Sequence, residues 1–187
     1  NYLDDYAKPN AKAWAKKALA AGWRPLLLSV SPEWYTPQSY IKAVRLVLGE
    51  IDLDPASCDE ANKTVKAATF FSKDGRALEK PWLGRVFLNP PYGNDGPPFV
   101  LKLLNEIAAG NVTEAILLVN SRATDADWFQ HLFDGIICFT DHRIDFESPE
   151  EKQTTSTHGS CFVYFGPNPH KFASVFQEYG NIVKRWP

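Results

Sequence analysis

The sequence has little cysteine, no excess of basic charge, no long apolar run and no methionine at all. Each lack excludes something. Cys58, Cys138 and Cys161 cannot all pair and show no Cys-x-x-Cys spacing, so neither a disulfide framework nor a cysteine zinc site is expected. Unpaired cysteines fit a reducing compartment, and a cytoplasmic location is the expectation. The formal charge is −2 and the isoelectric point about 6.1, which excludes a strongly basic nucleic-acid coat but not a local basic face. No apolar run reaches the roughly 20 residues that span a bilayer, and no secretory signal pattern is visible. Without methionine, and with Asn at position 1, the native start is expected to have been trimmed or to lie upstream. Neither repeats nor long low-complexity tracts occur. What remains is ordinary globular usage, 44% hydrophobic and 22% charged over 187 residues, enough for one domain with a real core.

The patterning alternates between helix and strand. Residues 10–21 are rich in Ala and Lys, a helical composition with Asn10 as a possible cap, and Leu26 to Val30 forms a short apolar segment. Thr36-Pro37 predicts a helix start, with Thr36 as N-cap and Pro37 at the first helical position. Tyr40, Ile41, Val44, Val47 and Leu48 then share one helical face, ended by Gly49. Strands are predicted at 51–53, 86–88, 115–119 and 136–139, with a helix over 99–109 and a short one around 128–133. Later, 143–146 and 161–165 read as two strands joined by the polar stretch 147–160, and 172–179 reads as a final helix closed by Gly180. This alternation predicts an α/β fold with a mostly parallel sheet and an antiparallel pair of late strands at its edge. Ligands of such sheets sit beyond the carboxyl ends of the strands. Asp54-Pro55 and Asn89-Pro90-Pro91-Tyr92 both fall at such ends.

The second of these carries the sharpest chemistry. Consecutive prolines fix φ and remove two donors, so the turn is stiff and its carbonyls stay free to accept. The Asn89 side-chain oxygen is another acceptor. Two acceptors held close together suit an NH2 group, and Tyr92 offers a flat face for a planar ring. An aromatic amine is a poor nucleophile because its lone pair is delocalised. Acceptors on its hydrogens favour a localised lone pair that can attack an electrophilic methyl, by positioning and electrostatics rather than by a strong base. Gly93 and Gly96, just downstream, fit a turn built for a ligand.

Leu88-Asn89-Pro90-Pro91-Tyr92 resembles the catalytic motif of S-adenosylmethionine-dependent amino-methyltransferases. More of the chain is similar to one branch, the phage-type (Dam-like) DNA N6-adenine methyltransferases. Glu33-Trp34-Tyr35-Thr36-Pro37 resembles its W-x-T-P element, and Asp52-Leu53-Asp54-Pro55-Ala56-Ser57 its D-P-A-A/S element. Asp74-Gly75, with Leu78 and Trp82, is similar to its D-G-L…W stretch. Ser121 to Asp125 with Trp128-Phe129 matches the segment after its next strand, and Arg143 to Phe146 its R-I-x-F strand. The matches run in order over residues 33–166. The resemblance implies a Rossmann-like methyltransferase fold, with S-adenosyl-L-methionine as donor and N6 of adenine in DNA, flipped from a duplex or single-stranded, as acceptor. It places Asn89, Pro90, Pro91 and Tyr92 at the target amine and base. Trp34, Thr36, Pro37, Asp54, Pro55, Ala56, Ser57, Asp74 and Asn89 would form the cofactor site. The sequence departs from many methyltransferases in having no Gly-x-Gly loop, and Glu60, the one candidate for the ribose hydroxyls, fits a solvated helix face better.

An acidic chain needs local cations to hold DNA. Arg122, Arg143 and Lys152 are the expected DNA contacts, with Lys12, Lys16, Lys17, Lys42, Arg45, Lys171, Lys184 and Arg185 as further candidates. Arg122 has a competing reading as a surface partner of Asp125 or Asp127. The stretch 147–160 lies where a small target-recognition element would sit. His131, His142, His158 and His170 have no metal-like spacing, so no metal is expected and structural or surface roles are assigned to them. Other readings keep the same motif: an amino-methyltransferase of RNA adenine or protein glutamine, or a degenerate module that binds nucleic acid without turnover.

Overall fold

The computed structural model describes residues 34–147, 154–155 and 158–186. The helix expected over 10–21, the segment 26–30 and Lys152 lie outside them. Helix α1 (Gln38–Leu48) comes first, followed by strand β1 (Leu53–Asp54), helix α2 (Asp59–Val65) and strand β2 (Thr69–Phe70). Strand β3 (Gly84–Leu88), helix α3 (Gly96–Ala108) and strand β4 (Val112–Asn120) form the middle. Helix α4 (Asp127–Gln130) leads to strand β5 (Ile136–Thr140). Then come β6 (Asp145–Phe146), β7 (Thr154–Thr155), β8 (Ser160–Phe165), helix α5 (Pro169–Phe176) and β9 (Gly180–Lys184).

Seven strands form one sheet in the order β2-β1-β3-β4-β8-β5-β9. Strands β1 to β5 run one way, and β8 and β9 run against them. This is a Rossmann-like arrangement. The late antiparallel strands exist, but their placement corrects the expectation. Segment 143–146 does not pair with 161–165: β6 joins β7 in a separate two-stranded ribbon. Strand β8 is instead inserted between β4 and β5, which explains its unbroken burial. The edge belongs to β9, a strand the sequence pattern did not suggest. Gly180 opens that strand rather than closing a helix, and α5 ends at Phe176.

Alternation along the strands sends side chains to two faces. Phe87, Ile116, Leu118, Cys138 and Phe162 meet α1 and α5 on one side, including Ile41, Val44, Phe172 and Phe176. Val86, Leu88, Leu117, Val119, Ile137 and Val163 meet α3 and the residues of α4 on the other, including Val100, Leu103 and Phe129. The face predicted for 40–48 is buried as expected. Helix α3 begins three residues before the predicted start because Pro97 and Pro98 are tolerated in a first turn, where N–H groups need no helical partner.

Below the opposite edge of the sheet, Arg85 grips Asp52 with two side-chain bonds, at 2.9 and 2.8 Å, and reaches the Leu48 carbonyl at 3.2 Å. Asp52 also accepts the Arg85 backbone N–H at 2.8 Å. The Arg85 guanidinium accordingly holds the Asp52 carboxyl below its ordinary range. Gly84 sits at φ +75°, and a Cβ there would stand 2.6 Å from an Asp52 oxygen. Gly84→Ala should therefore combine backbone strain with displacement of this clasp, costing about 1–3 kcal/mol. A urea melt checks this, and an unchanged midpoint would contradict it.

Candidate active site

Parallel strands share one carboxyl edge, and the fold brings the sequence motifs together there. Asp54 closes β1, Asn89 follows β3 and Asn120 closes β4. The segment 34–37 reaches the same edge as a strap before α1. Tyr35 exchanges backbone hydrogen bonds with Glu147, at 2.9 and 3.1 Å, fixing the strap against the end of β6. The Cys58 thiol donates to the Tyr35 hydroxyl at 3.5 Å, and Cys58 also caps α2 by accepting from Ala61 N–H.

Asn89 ties this strap to the tetrapeptide. Its side-chain NH2 donates to the Trp34 carbonyl at 3.1 Å and to the Thr36 hydroxyl at 3.4 Å. With both donors drawn that way, the Asn89 Oδ1 remains the acceptor. Thr36 thus has a different task from the one expected. It does not cap α1; the cap residue is Pro37, whose carbonyl accepts from the N–H groups of Tyr40 and Ile41 at 3.1 and 3.3 Å. The Thr36 hydroxyl is buried and given to Asn89 instead. Trp34 is half-buried and meets Phe146 edge-on at 6.5 Å; Tyr92 meets the same ring from its other contact at 6.4 Å. Phe146 is fully buried, so it fixes both rings, while Tyr92 keeps 42% of its surface exposed.

A cavity of about 340 Å³ opens beside the tetrapeptide, lined by Asn89, Pro90, Pro91 and Tyr92 with Val100, Leu118, Asn120 and Trp128 among its walls. Thr36, Asp54 and Ser57 do not border it. Asn89 alone among these residues both touches the strap and lines the cavity. The tetrapeptide is itself rigidly seated: a Cβ on Gly96 would stand 2.5 Å from the Pro91 carbonyl oxygen, so α3 can start this close only with glycine.

The loop after β1 has its own character. Asp54 is 3% exposed, and burial pushes its carboxyl up to about 7, held back only partly by the Ala56 N–H at 3.2 Å and by nearby Ser57. The Ser57 hydroxyl is buried and makes no hydrogen bond of ordinary geometry among the described residues. A desolvated carboxylate and an unsatisfied hydroxyl side by side fit a cationic, amine-bearing ligand such as S-adenosyl-L-methionine. Ala56 between them adds no bulk, and Pro55 stiffens the turn. Asp74 lies in an exposed turn, Lys73–Gly75, just beyond the carboxyl end of β2. Glu60 is exposed and paired with Lys63, as a solvated helix face requires.

Arg122 follows β4 directly. Its guanidinium meets His158 Nδ1 at 3.2 Å rather than Asp125 or Asp127. Arg143 is exposed in the turn before β6. Several other candidate cations serve the fold: Arg45 donates to the Val65 and Lys66 carbonyls, Lys171 to the Val47 carbonyl, and Arg185 pairs with Asp134. His142 has a structural part too. It joins Tyr40 to Asp141 through bonds of 2.6 Å at each ring nitrogen, linking α1 to the end of β5. Sequence reading missed Asn120 and Phe146 as site residues. For Asn120 the available signal was its position at the end of β4, and for Phe146 it was its place in the R-I-x-F motif.

The Asp54 carboxyl gives a pH prediction. Its folded value near 7 lies above the ordinary 3.8, so the folded chain holds a proton that the unfolded chain has released. Its stabilising contribution is full below about pH 4 and is lost as pH rises through about 7. The ligand-free protein should therefore lose more stability between about pH 5 and about pH 8 than an Asp54→Asn variant does. Denaturation midpoints of both at the two pH values test this, and parallel pH profiles would refute it.

Comparison with known proteins bears on what this edge is for. A search of the curated proteins found no match. Among solved structures, a candidate RNA methyltransferase from Pyrococcus horikoshii aligns over 81% of this chain and 96% of its own, at 14% identity and a TM-score of 0.46. The family model described as DNA N-6-adenine-methyltransferase (Dam) matches residues 26–180, spanning the strap, the β1 loop, the tetrapeptide and the late strands. The chain belongs to the DNA N-6-adenine-methyltransferase (Dam) family.

Proposed function

We propose that the protein transfers a methyl group from S-adenosyl-L-methionine to the exocyclic N6 amine of adenine in DNA. The observation that carries this reading is the double engagement of Asn89. Its NH2 is spent on the strap, so its Oδ1 is oriented as an acceptor, and it lines the cavity on the other side. Donor and acceptor substrates would then lie on opposite sides of one rigid turn.

Asp54, Ser57, the strap and the start of α1 would hold the donor, with Asp54 facing its positive charge and the first N–H groups of α1 suiting its carboxylate. When bound, S-adenosyl-L-methionine supplies an electrophilic methyl on a sulfonium. The chain's own residues do the rest. Asn89 Oδ1 and the Pro90 carbonyl accept the two amine hydrogens, drawing the nitrogen lone pair out of the ring and facing the positive charge that grows on nitrogen as its bond to carbon forms. Neither oxygen is a strong base, so the surplus proton leaves to water. Tyr92 offers its exposed ring face to the base, and the stiffness of Pro90-Pro91 supplies the positioning. The target base must leave the stack to reach this cavity. Arg122, Arg143 and Lys152 are proposed to contact phosphate.

Labelled donor offered in parallel to duplex DNA, single-stranded DNA and RNA, followed by nucleoside analysis, tests the reading. N6-methyladenine in DNA is expected; label confined to RNA would replace the substrate. Asn89→Ala should lower turnover by about a hundredfold or more while the protein stays folded, and should also weaken donor binding by calorimetry, because the Asn89 NH2 holds the strap. Surviving turnover would remove Asn89 from the chemistry. DNA affinity should fall steeply with salt, and Arg122→Ala should reduce that slope by about one ion. A slope that the substitution leaves unchanged would take Arg122 out of the phosphate contacts.

A further inference from the structure

We propose that Asn120 reads the ring of the target base, donating a hydrogen bond to the ring nitrogen that neighbours the exocyclic amine. This rests on the reading just given and deepens it. The cavity beside the tetrapeptide has an acceptor-rich side, Asn89 to Tyr92, and an apolar floor that includes Val100 and Leu118. Asn120 is among the residues that line this cavity.

The orientation of this amide is fixed. Its Oδ1 accepts the Arg122 backbone N–H at 2.8 Å. Its NH2 therefore points away from that turn, and among the described residues it has no hydrogen-bond partner. The backbone is fixed as well, because Asn120 is the last residue of β4 paired with β8, opposite Ser160. Strand β3 ends at Leu88, which pairs with Leu117, and β4 runs on to Asn120, so Asn89 and Asn120 both stand at the carboxyl edge of neighbouring strands. An unpaired donor thus belongs to a residue that lines the same cavity as the acceptors of Asn89 and Pro90 and the half-exposed ring of Tyr92.

That pattern matches the edge of an amino-bearing ring: a donor amine flanked by an acceptor nitrogen. Adenine presents it through N1 on one side of the amine and N7 on the other. Guanine does not, since its O6 would face the acceptors of Asn89 and Pro90. Asn120 is here a specificity residue acting on the base, distinct from the residues that grip the amine.

Asn120→Asp is the informative variant. A carboxylate keeps the acceptor for the Arg122 N–H, so the turn survives, but it cannot donate. Wild-type and variant proteins would be given single-stranded oligonucleotides carrying adenine, 1-deazaadenine or 7-deazaadenine, with methyl transfer read by nucleoside analysis and donor binding by calorimetry. The expected result is that one deaza base costs the wild type about tenfold in kcat/KM. The variant should lose about the same on ordinary adenine, lose nothing further on that deaza base, and bind donor unchanged. If the variant still discriminates between the bases as the wild type does, Asn120 does not read the ring. If the variant matches the wild type on adenine, the proposal likewise fails. A wild type that methylates no adenine-bearing strand is a different result: it would overturn the underlying function and this proposal with it.

Discussion

The site depends on one side-chain amide. The NH2 of Asn89 reaches back to the Trp34 carbonyl and the Thr36 hydroxyl, residues more than fifty positions earlier in the chain. An amide has two chemically different ends, and fixing one fixes the other. The bond that holds the strap in place therefore also sets the orientation of the acceptor oxygen. Around it the strap is fastened twice more, by the backbone pair with Glu147 and by the Cys58–Tyr35 contact. Phe146 closes the arrangement by packing against both Trp34 and Tyr92.

This arrangement separates two kinds of surroundings. On the strap side stand a buried carboxyl, whose charge is suppressed by desolvation, and an unsatisfied hydroxyl. A cation bound there would favour the ionised form of Asp54, so its binding would be coupled to proton release. On the other side lies an apolar-floored cavity with acceptors on one wall and an aromatic ring exposed. The stiff proline turn stands between them, so in the proposed reading each side would take a different molecule. The insertion of β8 between β4 and β5 serves the same end, because it holds the carboxyl end of β4, and with it Asn120, in a continuous ladder.

Much of this was legible beforehand. The apolar face of α1, the doubly buried β4 and the proline turn after β3 follow from periodicity and from what proline cannot do. What failed to show were features set by partners distant in sequence. Strand β9 carries the pattern exposed-intermediate-exposed and has too few apolar residues to announce itself; β5 and the core contact of Ile182 make it a strand. The late strands were read as partners because they were neighbours along the chain, whereas pairing is decided by which edges remain open. Thr36 looked like a cap because Thr before Pro usually is one, yet its hydroxyl found a better-placed donor in Asn89.

The sequence by itself determined the chemistry available: a rigid double-proline turn with an amide before it and an aromatic ring after it, an aspartate at a strand end, and an ordered set of short motifs. These are local properties, carried by residue type and spacing. Tertiary structure decided how they are used. It selected which end of each asparagine amide is held by the protein, raised the Asp54 carboxyl by removing water from it, and brought Asn120 to the same cavity as the proline turn. Orientation, desolvation and register all depend on groups far away in the chain, and no local pattern can encode them.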